Sequence, residues 1–496
     1  MGGAGWNLAD PHPAPVPAFV PASDVGILDS PEEVLSTLRN DGSRRWLYPV
    51  PERGRFWRRR LVVGWALIVF FVALPVVQIG GRPAVLLDLA AREFTFFGFT
   101  FYPTDTFLLL LVGIGVLVSI ALITALLGRV WCGWGCPQTV YLEFFYRPVE
   151  RFFEGAEHVR ARRDAGPWTL DKAWRKGGKW AVYVVASAFL AHTFTAYFVG
   201  WDRLVAWMTG PPTEHWPYFV LATLTTGLVL FDFGFFREQM CTITCPYGRF
   251  QSILLDPDSL IVSYDPGRGE PRARRGKQAI AEEQAGERPP LGDCVDCGAC
   301  VRTCPTGIDI REGLQMECIA CTQCIDACDS IMDAVDLPRG LIRYTSERAL
   351  EGDRTRVVRG RTVAYGVLLV AVAAVFTVAL TTRHAYDADL VRAVGPPFLE
   401  RADGQVANRV RLRVRNQTAT ATAFRVELIV PEGGAVRLGA TPPVPVAARE
   451  QVRVEGAITV PGATFAEAAE VPAVVRLAFA DGSTEDVPFT LLGPSP

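Results

Sequence analysis

The chain has 496 residues, a formal net charge of −2, 21% charged residues and a mean hydropathy of +0.20. Soluble proteins average about 25% charged residues, so this composition excludes an ordinary soluble multidomain enzyme and indicates membrane segments. The balanced charge gives no reason to expect nucleic acid binding.

Five stretches are long and uncharged enough to cross a hydrocarbon core, which takes about 20 apolar residues in a helix. They are Leu61 to Ile79, Thr106 to Gly128, Trp180 to Gly200, Trp216 to Phe236 and Thr362 to Thr382. The Pro-rich, polar residues 1–52 do not resemble a cleavable signal, so we expect the first span to remain in the mature protein. Asp232 lies near the end of the fourth span, where a carboxylate is a candidate functional group.

The distribution of Lys and Arg predicts how these spans are oriented, because cytoplasmic loops are enriched in both residues. Basic residues collect before the first span, in the loop after the second and before the fifth, whereas the loop between the third and fourth has only Arg203. We therefore expect the N-terminus and residues 237–361 in the cytoplasm, and residues 383–496 outside.

Two cysteine pairs follow the second and fourth spans, in Trp131-Cys-Gly-Trp-Gly-Cys-Pro137 and Cys241-Thr-Ile-Thr-Cys-Pro246. The predicted topology brings both pairs to the cytoplasmic face, so Cys132, Cys136, Cys241 and Cys245, here called the membrane-face cysteines, are candidates for one joint site. A Pro favours the first position of a helix, which predicts that Cys136 and Cys245 are N-caps with lowered thiol pKa values. Four soft thiolates suit Cu(I), zinc or iron–sulfur chemistry, whereas packing cysteines are the alternative.

The other eight cysteines, here called the dicluster cysteines, form two C-x2-C-x2-C-x3-C runs at residues 294–304 and 318–328. In this pattern three thiolates hold one [4Fe-4S] cluster and the fourth reaches the other cluster. The pattern assigns Cys294, Cys297, Cys300 and Cys328 to the first cluster, and Cys318, Cys321, Cys324 and Cys304 to the second. Structural zinc sites are the alternative, but no His lies between residues 216 and 383. Pro305 follows Cys304 as usual, whereas Asp329 follows Cys328.

Beyond the last span, short runs of alternating apolar and polar residues are separated by Pro, Gly and Asp, as in 410–415, 424–430 and 474–479. This period of two predicts an antiparallel sandwich of immunoglobulin type, without a disulfide. We expect it to dock a partner or to give structural support.

The chain is thus expected to be a multidomain membrane protein with five transmembrane helices, an inserted two-cluster bacterial-type ferredoxin domain (α+β) and a C-terminal all-β immunoglobulin-like sandwich. The expected boundaries are a cytoplasmic N-terminal segment (1–60), a four-helix membrane region (61–260), a linker (261–290), the ferredoxin domain (291–340), a second linker (341–361), the fifth helix (362–382) and a periplasmic domain (384–496).

Together these motifs resemble the bacterial CcoG/FixG/RdxA family of cytochrome oxidase accessory proteins. The resemblance covers nearly the whole chain from about residue 45, and it includes both Cys-Pro units, Arg268-Gly-Glu-Pro271, Asp293-Cys-Val-Asp-Cys-Gly-Ala-Cys300 and Pro305-Thr-Gly-Ile-Asp-Ile-Arg311. It implies a multi-pass protein of the bacterial inner membrane that assists maturation of a haem–copper cytochrome c oxidase by reducing Cu(II) to Cu(I).

On that reading the membrane-face cysteines carry copper and two [4Fe-4S] clusters deliver electrons. The implied partners are a copper ion, membrane lipid, a cytoplasmic or quinol electron donor, and oxidase assembly factors that include a copper transporter. No dinucleotide fingerprint follows a strand, so the electron donor should be a separate molecule. A quinol-oxidising membrane ferredoxin and a non-enzymatic assembly scaffold are the alternative functions.

Overall fold

The structure is a computed structural model that describes residue 37 and residues 44–102, 105–287, 289–382, 384–418 and 420–494. Most of the predicted N-terminal segment lies outside the described residues. The chain divides into two compact units, Met1–Ala374 and Val375–Pro496, and each is described by itself.

The α-helices follow in chain order: α1 (Arg55–Ala73), α2 (Thr106–Leu127), α3 (Val130–Trp134), α4 (Pro137–Tyr141), α5 (Arg147–Glu154), α6 (Glu157–Ala165), α7 (Leu170–Val199), α8 (Trp201–Met208), α9 (Trp216–Phe231), α10 (Pro246–Leu254), α11 (Pro266–Gly269), α12 (Lys277–Gln284), α13 (Ala299–Thr303), α14 (Gln323–Ala334), α15 (Glu347–Leu350) and α16 (Gly360–Thr381). Three π-helical segments interrupt or extend them at Leu142–Tyr146, Asp232–Phe236 and Met240–Thr244, and short 3-10 helices lie at Pro212–His215, Ile310–Glu312 and Gly462–Phe465.

The strands are β1 (Gln78–Ile79), β2 (Arg82–Pro83), β3 (Val85–Asp88), β4 (Glu93–Phe96), β5 (Phe99–Phe101), β6 (Ile261–Tyr264), β7 (Ile342–Thr345), β8 (Tyr386–Arg392), β9 (Leu399–Glu400), β10 (Gln405–Asn416), β11 (Thr422–Val430), β12 (Ala435–Leu438), β13 (Val444–Val446), β14 (Gln451–Pro461), β15 (Glu470–Phe479) and β16 (Thr484–Leu492).

Four helical segments of the described chain are long and apolar enough to cross a membrane, at Thr106–Leu127, Leu170–Val199, Pro212–Phe236 and Gly360–Thr381. Their outward apolar side chains are exposed, as lipid-facing residues are expected to be. These segments correspond to four of the predicted spans and are consistent with a membrane protein.

The first predicted span has different boundaries in the structure. Helix α1 begins six residues earlier, at Arg55, and ends at Ala73. Pro75 follows closely and cannot continue a helix, because its ring disfavours helical geometry at the preceding residue and it lacks a backbone N–H. The count of five spans therefore stays a prediction.

A small β structure that the sequence reading missed follows α1. Strands β3, β4 and β5 form an antiparallel sheet in which Val85 pairs with Phe96 and Phe94 with Phe101. Arg203 at the start of α8 forms an ion pair with the buried Asp88 of this sheet at 3.1 Å. The alternation of Phe and Thr in residues 94–101 was the signal for it.

The predicted linkers of the ferredoxin region are partly regular structure. Strand β6, from the linker 261–290, pairs antiparallel with β7, from the linker 341–361, so that Val262 lies opposite Tyr344. Val262 and Ile342 pack in one core with the cysteine-bearing helices α13 and α14. The linker boundaries were wrong here, because the pairing joins segments about 80 residues apart that local pattern cannot connect.

The second unit confirms the predicted all-β fold. One sheet has the order β12-β14-β10-β8, with β9 also paired to β10, and the other has the order β13-β11-β15-β16. Alternate residues of β10, including Val410, Leu412 and Val414, point into a shared apolar core with Phe424 of the facing sheet. Buried Asn408 exchanges two hydrogen bonds with the backbone of Leu492 and so ties β10 to β16.

Candidate metal centres

The structure gathers the dicluster cysteines around two adjacent cavities. The first cavity is lined by Cys294, Cys297, Cys300 and Cys328, and the second by Cys304, Cys318, Cys321 and Cys324, with Cys300 at the wall between them. This is the interleaved grouping that the spacing predicts. The two cavities are similar in size.

The chemistry of these thiols fits a resident metal group. All eight are free thiols, and burial raises the pKa of Cys300 to about 12 and of Cys318 to about 11. Buried thiolates without a compensating cation are costly, and metal coordination supplies that cation while displacing the protons. The side chains therefore fit iron–sulfur ligation at both cavities.

The departure at Asp329 has a structural reason. Cys304 ends the short helix α13 and Pro305 turns the chain, whereas Cys328 lies inside α14. A Pro at position 329 would break that helix. Asp329 instead accepts a hydrogen bond from the Gly340 N–H at 3.0 Å and pairs with Arg55 at 3.2 Å, so the ligand position is kept without a Pro.

The two Cys-x3-Cys-Pro segments, Cys132 to Pro137 and Cys241 to Pro246, are here called the membrane-face units. Buried and partly buried polar contacts join them. The Gln138 side chain, just after Cys136-Pro137, donates to the Arg237 carbonyl at 2.9 Å and to Asp232 at 3.1 Å. Arg237, four residues before Cys241, pairs with Glu150 of α5 at 2.7 Å. Both Glu150 and Arg237 are only 4% exposed, so this is an interior bridge between the two units.

The membrane-face thiols lie close enough to influence one another. Burial raises the pKa of Cys241, and the thiols of Cys136, Cys132 and Cys245 raise it further. Burial also raises the pKa of Cys132 to about 12. The four thiols are partly buried and within electrostatic range of one another. That they form one joint site stays a prediction.

The prediction of a lowered thiol pKa is wrong for Cys136. Cys136 and Cys245 do occupy the N-cap positions of α4 and α10. Burial of the Cys136 thiol raises its pKa and outweighs the opposing effect of the Gln138 and Thr139 backbone N–H groups. Desolvation of the thiolate therefore affects the pKa of Cys136 more strongly than the N–H groups of the helix terminus do.

No three or more His, Cys, Asp or Glu side chains in the described ranges lie close enough together to hold a single metal ion. This finding covers all twelve cysteines. The copper ligand set Cys132, Cys136, Cys241 and Cys245 therefore stays a proposal.

The turn of the first membrane-face unit packs directly on the loop that lines the second cavity. An added Cβ on Gly133 would lie 2.6 Å from the Ile319 carbonyl oxygen and 2.7 Å from that of Ala320. The Trp134 indole N–H donates to Tyr344 Oη at 2.9 Å, and Tyr344 donates to the Ala320 carbonyl at 3.2 Å. Only glycine at position 133 permits this approach.

Three polar residues that the sequence reading did not single out complete the connection. Buried Arg129 donates to the carbonyl oxygens of Gly248, Met316 and Cys318, the last at 3.3 Å. It thereby connects α10, the helix that follows Cys245, to the loop that lines the second cavity. Fully buried Arg60 donates to the Gly133 carbonyl at 2.9 Å. The Cys132 thiol donates to Gln251 Oε1 at 3.0 Å.

In the sequence, Arg60 and Arg129 contribute only to the basic residues near the predicted span ends. No local sequence pattern identifies Gln251 as a functional residue. The two terminal nitrogens of Arg60 are buried without a hydrogen-bond partner in the described part of the chain, beside Cys321. An unpaired buried cation next to a ligand thiol fits an anionic metal–thiolate group in the second cavity.

Family models match three parts of the chain. A 4Fe-4S binding domain covers residues 108–155, a 4Fe-4S dicluster domain covers residues 236–347, and an IG-like fold at the C-terminus of FixG covers residues 376–494. The first model includes Cys132 and Cys136, and the second includes the other ten cysteines.

The chain is also similar to curated proteins. It is 40% identical over 335 residues to the nitrogen fixation protein FixG of Rhizobium meliloti, covering 65% of this chain and 62% of FixG, which is less than two thirds of that relative. It is 37% identical to protein RdxA of Cereibacter sphaeroides, covering 69% of this chain and 72% of RdxA. Protein RdxB of the same organism is 33% identical, with 81% and 85% covered.

Proposed function

Because this chain belongs to the FixG/RdxA family of iron–sulfur electron-transfer proteins, we propose that it reduces Cu(II) to Cu(I) during maturation of a haem–copper cytochrome c oxidase. The proposal places the chain in the bacterial inner membrane, with the dicluster region in the cytoplasm and residues 384–496 in the periplasm. A copper transporter and other oxidase assembly factors are the proposed partners.

The observation that carries this proposal is the direct contact between the turn that contains Cys132 and Cys136 and the backbone that lines the second cavity. The Gly133 turn lies against the Ile319–Ala320 backbone, and Arg129 holds the Cys318 loop beside the helix that follows Cys245. Electron transfer needs close, rigid spacing between centres, and buried hydrogen bonds of this kind hold both sides in place.

When bound, [4Fe-4S] clusters supply one-electron storage at the two cavities. The chain's own residues then set the surroundings. Arg60 and Arg129 place positive charge beside Cys321, Cys318 and Cys132, which favours the anionic thiolate forms at these positions. The membrane-face cysteines serve copper reduction either as direct copper ligands or as ligands of a resident redox group, and the two alternatives predict different metal contents.

Anaerobic mixing tests the proposal. The purified chain is reduced, freed of excess reductant and mixed with Cu(II) and a Cu(I)-specific chelator, while cluster absorbance and the Cu(I) complex are followed together. We expect one Cu(I) for each electron lost from the chain. A Cys132→Ala/Cys241→Ala variant should keep the dicluster absorbance and lose most of the Cu(I) formation, whereas Thr244→Ala, at an exposed neighbouring position, should behave as wild type. Clusters that stay reduced in the presence of Cu(II) would refute the proposal.

A second candidate, quinol oxidation, is favoured by one cavity between α1 and α7. Its volume is about 570 Å³, and it is lined by apolar side chains together with Tyr141. The Tyr141 hydroxyl is buried and has no hydrogen-bond partner among the described residues. An isoprenoid quinol combines an apolar tail with a hydrogen-bonding head, which matches this lining.

A short-chain quinol added to the oxidised protein tests this candidate. Reduction of the clusters would support quinol as the electron donor, and Tyr141→Phe should slow it while leaving reduction by dithionite unchanged. Clusters that remain oxidised in excess quinol would exclude the quinol relay without affecting the copper proposal.

A further inference from the structure

One side of the C-terminal sandwich carries a row of arginines. On strand β10, residues that are buried in the core alternate with four exposed or partly exposed residues, and these four are Arg409, Arg411, Arg413 and Arg415. Residues two apart on a strand lie on the same face about 6.8 Å from each other, so the row is about 20 Å long. The row therefore presents a line of guanidinium groups on the outer side of one sheet.

The neighbouring strands widen this basic surface, which is here called the arginine face. It comprises the outward residues of β8, β10, β12 and β14, which include two further arginines, Arg437 and Arg453, and three carboxylates, Asp387, Asp389 and Glu455. Six arginines and three carboxylates give the arginine face a net charge of +3.

The charge of the arginine face is only partly neutralised. Arg411 pairs with Glu455 at 2.9 Å. The exposed arginines that form no ion pair with another described residue are Arg409, Arg413 and Arg453. Arg413 and Arg453 lie directly opposite each other on β10 and β14, where like charges repel. An anion bound over this pair would relieve the repulsion.

The outer side of the other sheet has no excess of positive charge. The outward residues of β11, β13, β15 and β16 include two arginines, Arg425 and Arg476, and three carboxylates, Glu427, Glu470 and Asp486. Their net charge is −1. The positive charge is therefore a property of one face and not of the whole domain.

The position of the domain in the chain indicates which anion meets the arginine face. Helix α16 is long and apolar enough to cross a membrane and ends at Thr381, and β8 begins at Tyr386. Five residues of extended chain reach at most about 18 Å, so a membrane crossed by α16 lies close to the start of β8. Arg415 of the row lies opposite Asp387, at that same end of the sheet.

A membrane surface matches this position and this charge. Anionic phospholipid head groups carry phosphate, which guanidinium groups bind through paired hydrogen bonds. Because the domain is tethered next to the membrane, the head groups are present at a high effective concentration, whereas an acidic protein would have to be recruited from solution.

We propose that the arginine face binds anionic phospholipid head groups and so holds the C-terminal domain against the membrane surface. Each arginine near an anionic surface strengthens the binding by about fivefold. The attraction extends over about one Debye length, which is about 8 Å at physiological salt. This inference goes beyond the proposed function and depends neither on copper reduction nor on the direction in which the chain crosses the membrane.

Arginine labelling in lipid nanodiscs tests the proposal. The full chain is placed in nanodiscs of phosphatidylcholine alone or of an equimolar mixture with phosphatidylglycerol and treated with phenylglyoxal, and the modified arginines are located by mass spectrometry. Arg413 and Arg453 should be labelled at least about fivefold more slowly when phosphatidylglycerol is present. High salt should remove this difference. Arg425 on the other sheet is the internal control and should be labelled equally in both nanodiscs.

A double variant tests which residues bind the lipid. Arg413→Gln/Arg453→Gln should weaken the binding about 25-fold and restore the labelling of Arg409 in the phosphatidylglycerol nanodiscs. Arg425→Gln is the matched control and should leave Arg409 protected. The double variant removes a repulsive pair, so thermal unfolding of the full chain should show no loss of stability.

Three results would overturn the proposal. The first is equal labelling of Arg413 and Arg453 in the two kinds of nanodisc, and the second is protection of Arg409 that persists in the double variant. The third is protection that occurs in native membranes but not in nanodiscs of purified lipid, which would assign the arginine face to an acidic protein partner. None of these results would affect the proposed copper reduction, which is measured separately.

Discussion

Glu150→Gln is expected to loosen the bridge that joins the two membrane-face units. Glu150 accepts from Arg237 at 2.7 Å and from Arg160 at 2.6 Å, and all three side chains are at most 5% exposed. Glutamine has nearly the same shape but no charge, so Arg160 would lose this buried anion and Arg237 would keep only Glu238, at 3.5 Å. Removing one partner of a buried ion pair costs about 3–5 kcal/mol.

The pKa of Glu150 gives a second value for the same interaction. Burial alone would raise this pKa, but Arg237, Arg160 and Lys179 outweigh burial and lower it from 4.5 to about 2. A difference of about 2.5 pKa units corresponds to about 3 kcal/mol, since each unit is about 1.4 kcal/mol. Both routes thus give a loss of about 3 kcal/mol or slightly more.

Hydrogen–deuterium exchange measures this loss of local stabilising free energy at the elements that Glu150 joins. In Glu150→Gln, the amides of α5 and of residues 237–245 should exchange on the order of a hundredfold faster, because about 3 kcal/mol is removed from the local opening free energy. Asp171→Asn is the control, since its ion pair with Arg175 is largely exposed and should change exchange very little. Less than fivefold acceleration in Glu150→Gln would refute the reasoning.

The same carboxylate predicts a pH dependence. Its folded-state pKa is lowered, so its contribution is fully present above about pH 4.5 and is lost as pH falls toward 2. Thermal unfolding of wild type should therefore lose more stability than that of Glu150→Gln over this window. Equal losses in the two proteins would contradict the assignment.

Further outcomes follow from other contacts. Gly133→Ala should displace the membrane-face turn from the second cavity, because the added Cβ would lie 2.6 Å from a backbone oxygen. The iron content measured by chemical analysis should then fall. The control Gly177→Ala, whose added Cβ meets nothing within 4 Å, should keep the wild-type iron content. Arg60→Met should lower the midpoint potential of one cluster in an EPR titration, since a buried cation beside Cys321 is removed; unchanged potentials would argue against a role for Arg60. Residues 384–494 should fold alone, and Phe424→Ala, which empties a fully buried position, should cost this domain about 3–5 kcal/mol in urea unfolding; a loss below about 1 kcal/mol would contradict the core described for it.

Features encoded by local spacing could be predicted from the sequence. The C-x2-C-x2-C-x3-C runs predict the interleaved grouping around the two cavities, because three thiolates of such a run bind one cluster and the fourth reaches the other cluster. Hydropathy located the four helices that are long and apolar enough to cross a membrane, and alternation located the C-terminal sheets. The first span was placed incorrectly, since apolar residues continue past Pro75 although the helix does not.

The sequence by itself determined the ligand chemistry of this protein: twelve thiols, grouped by spacing into eight and four, beside apolar helices. Only the tertiary structure decided how those groups meet. Arg129 reaches a carbonyl 189 residues away, Gln251 pairs with a thiol 119 residues away, and Arg237 pairs with Glu150 across 87 residues. Such contacts depend on the packing of whole helices and leave no periodic signal, so the surroundings that tune the thiols become visible only in the folded chain.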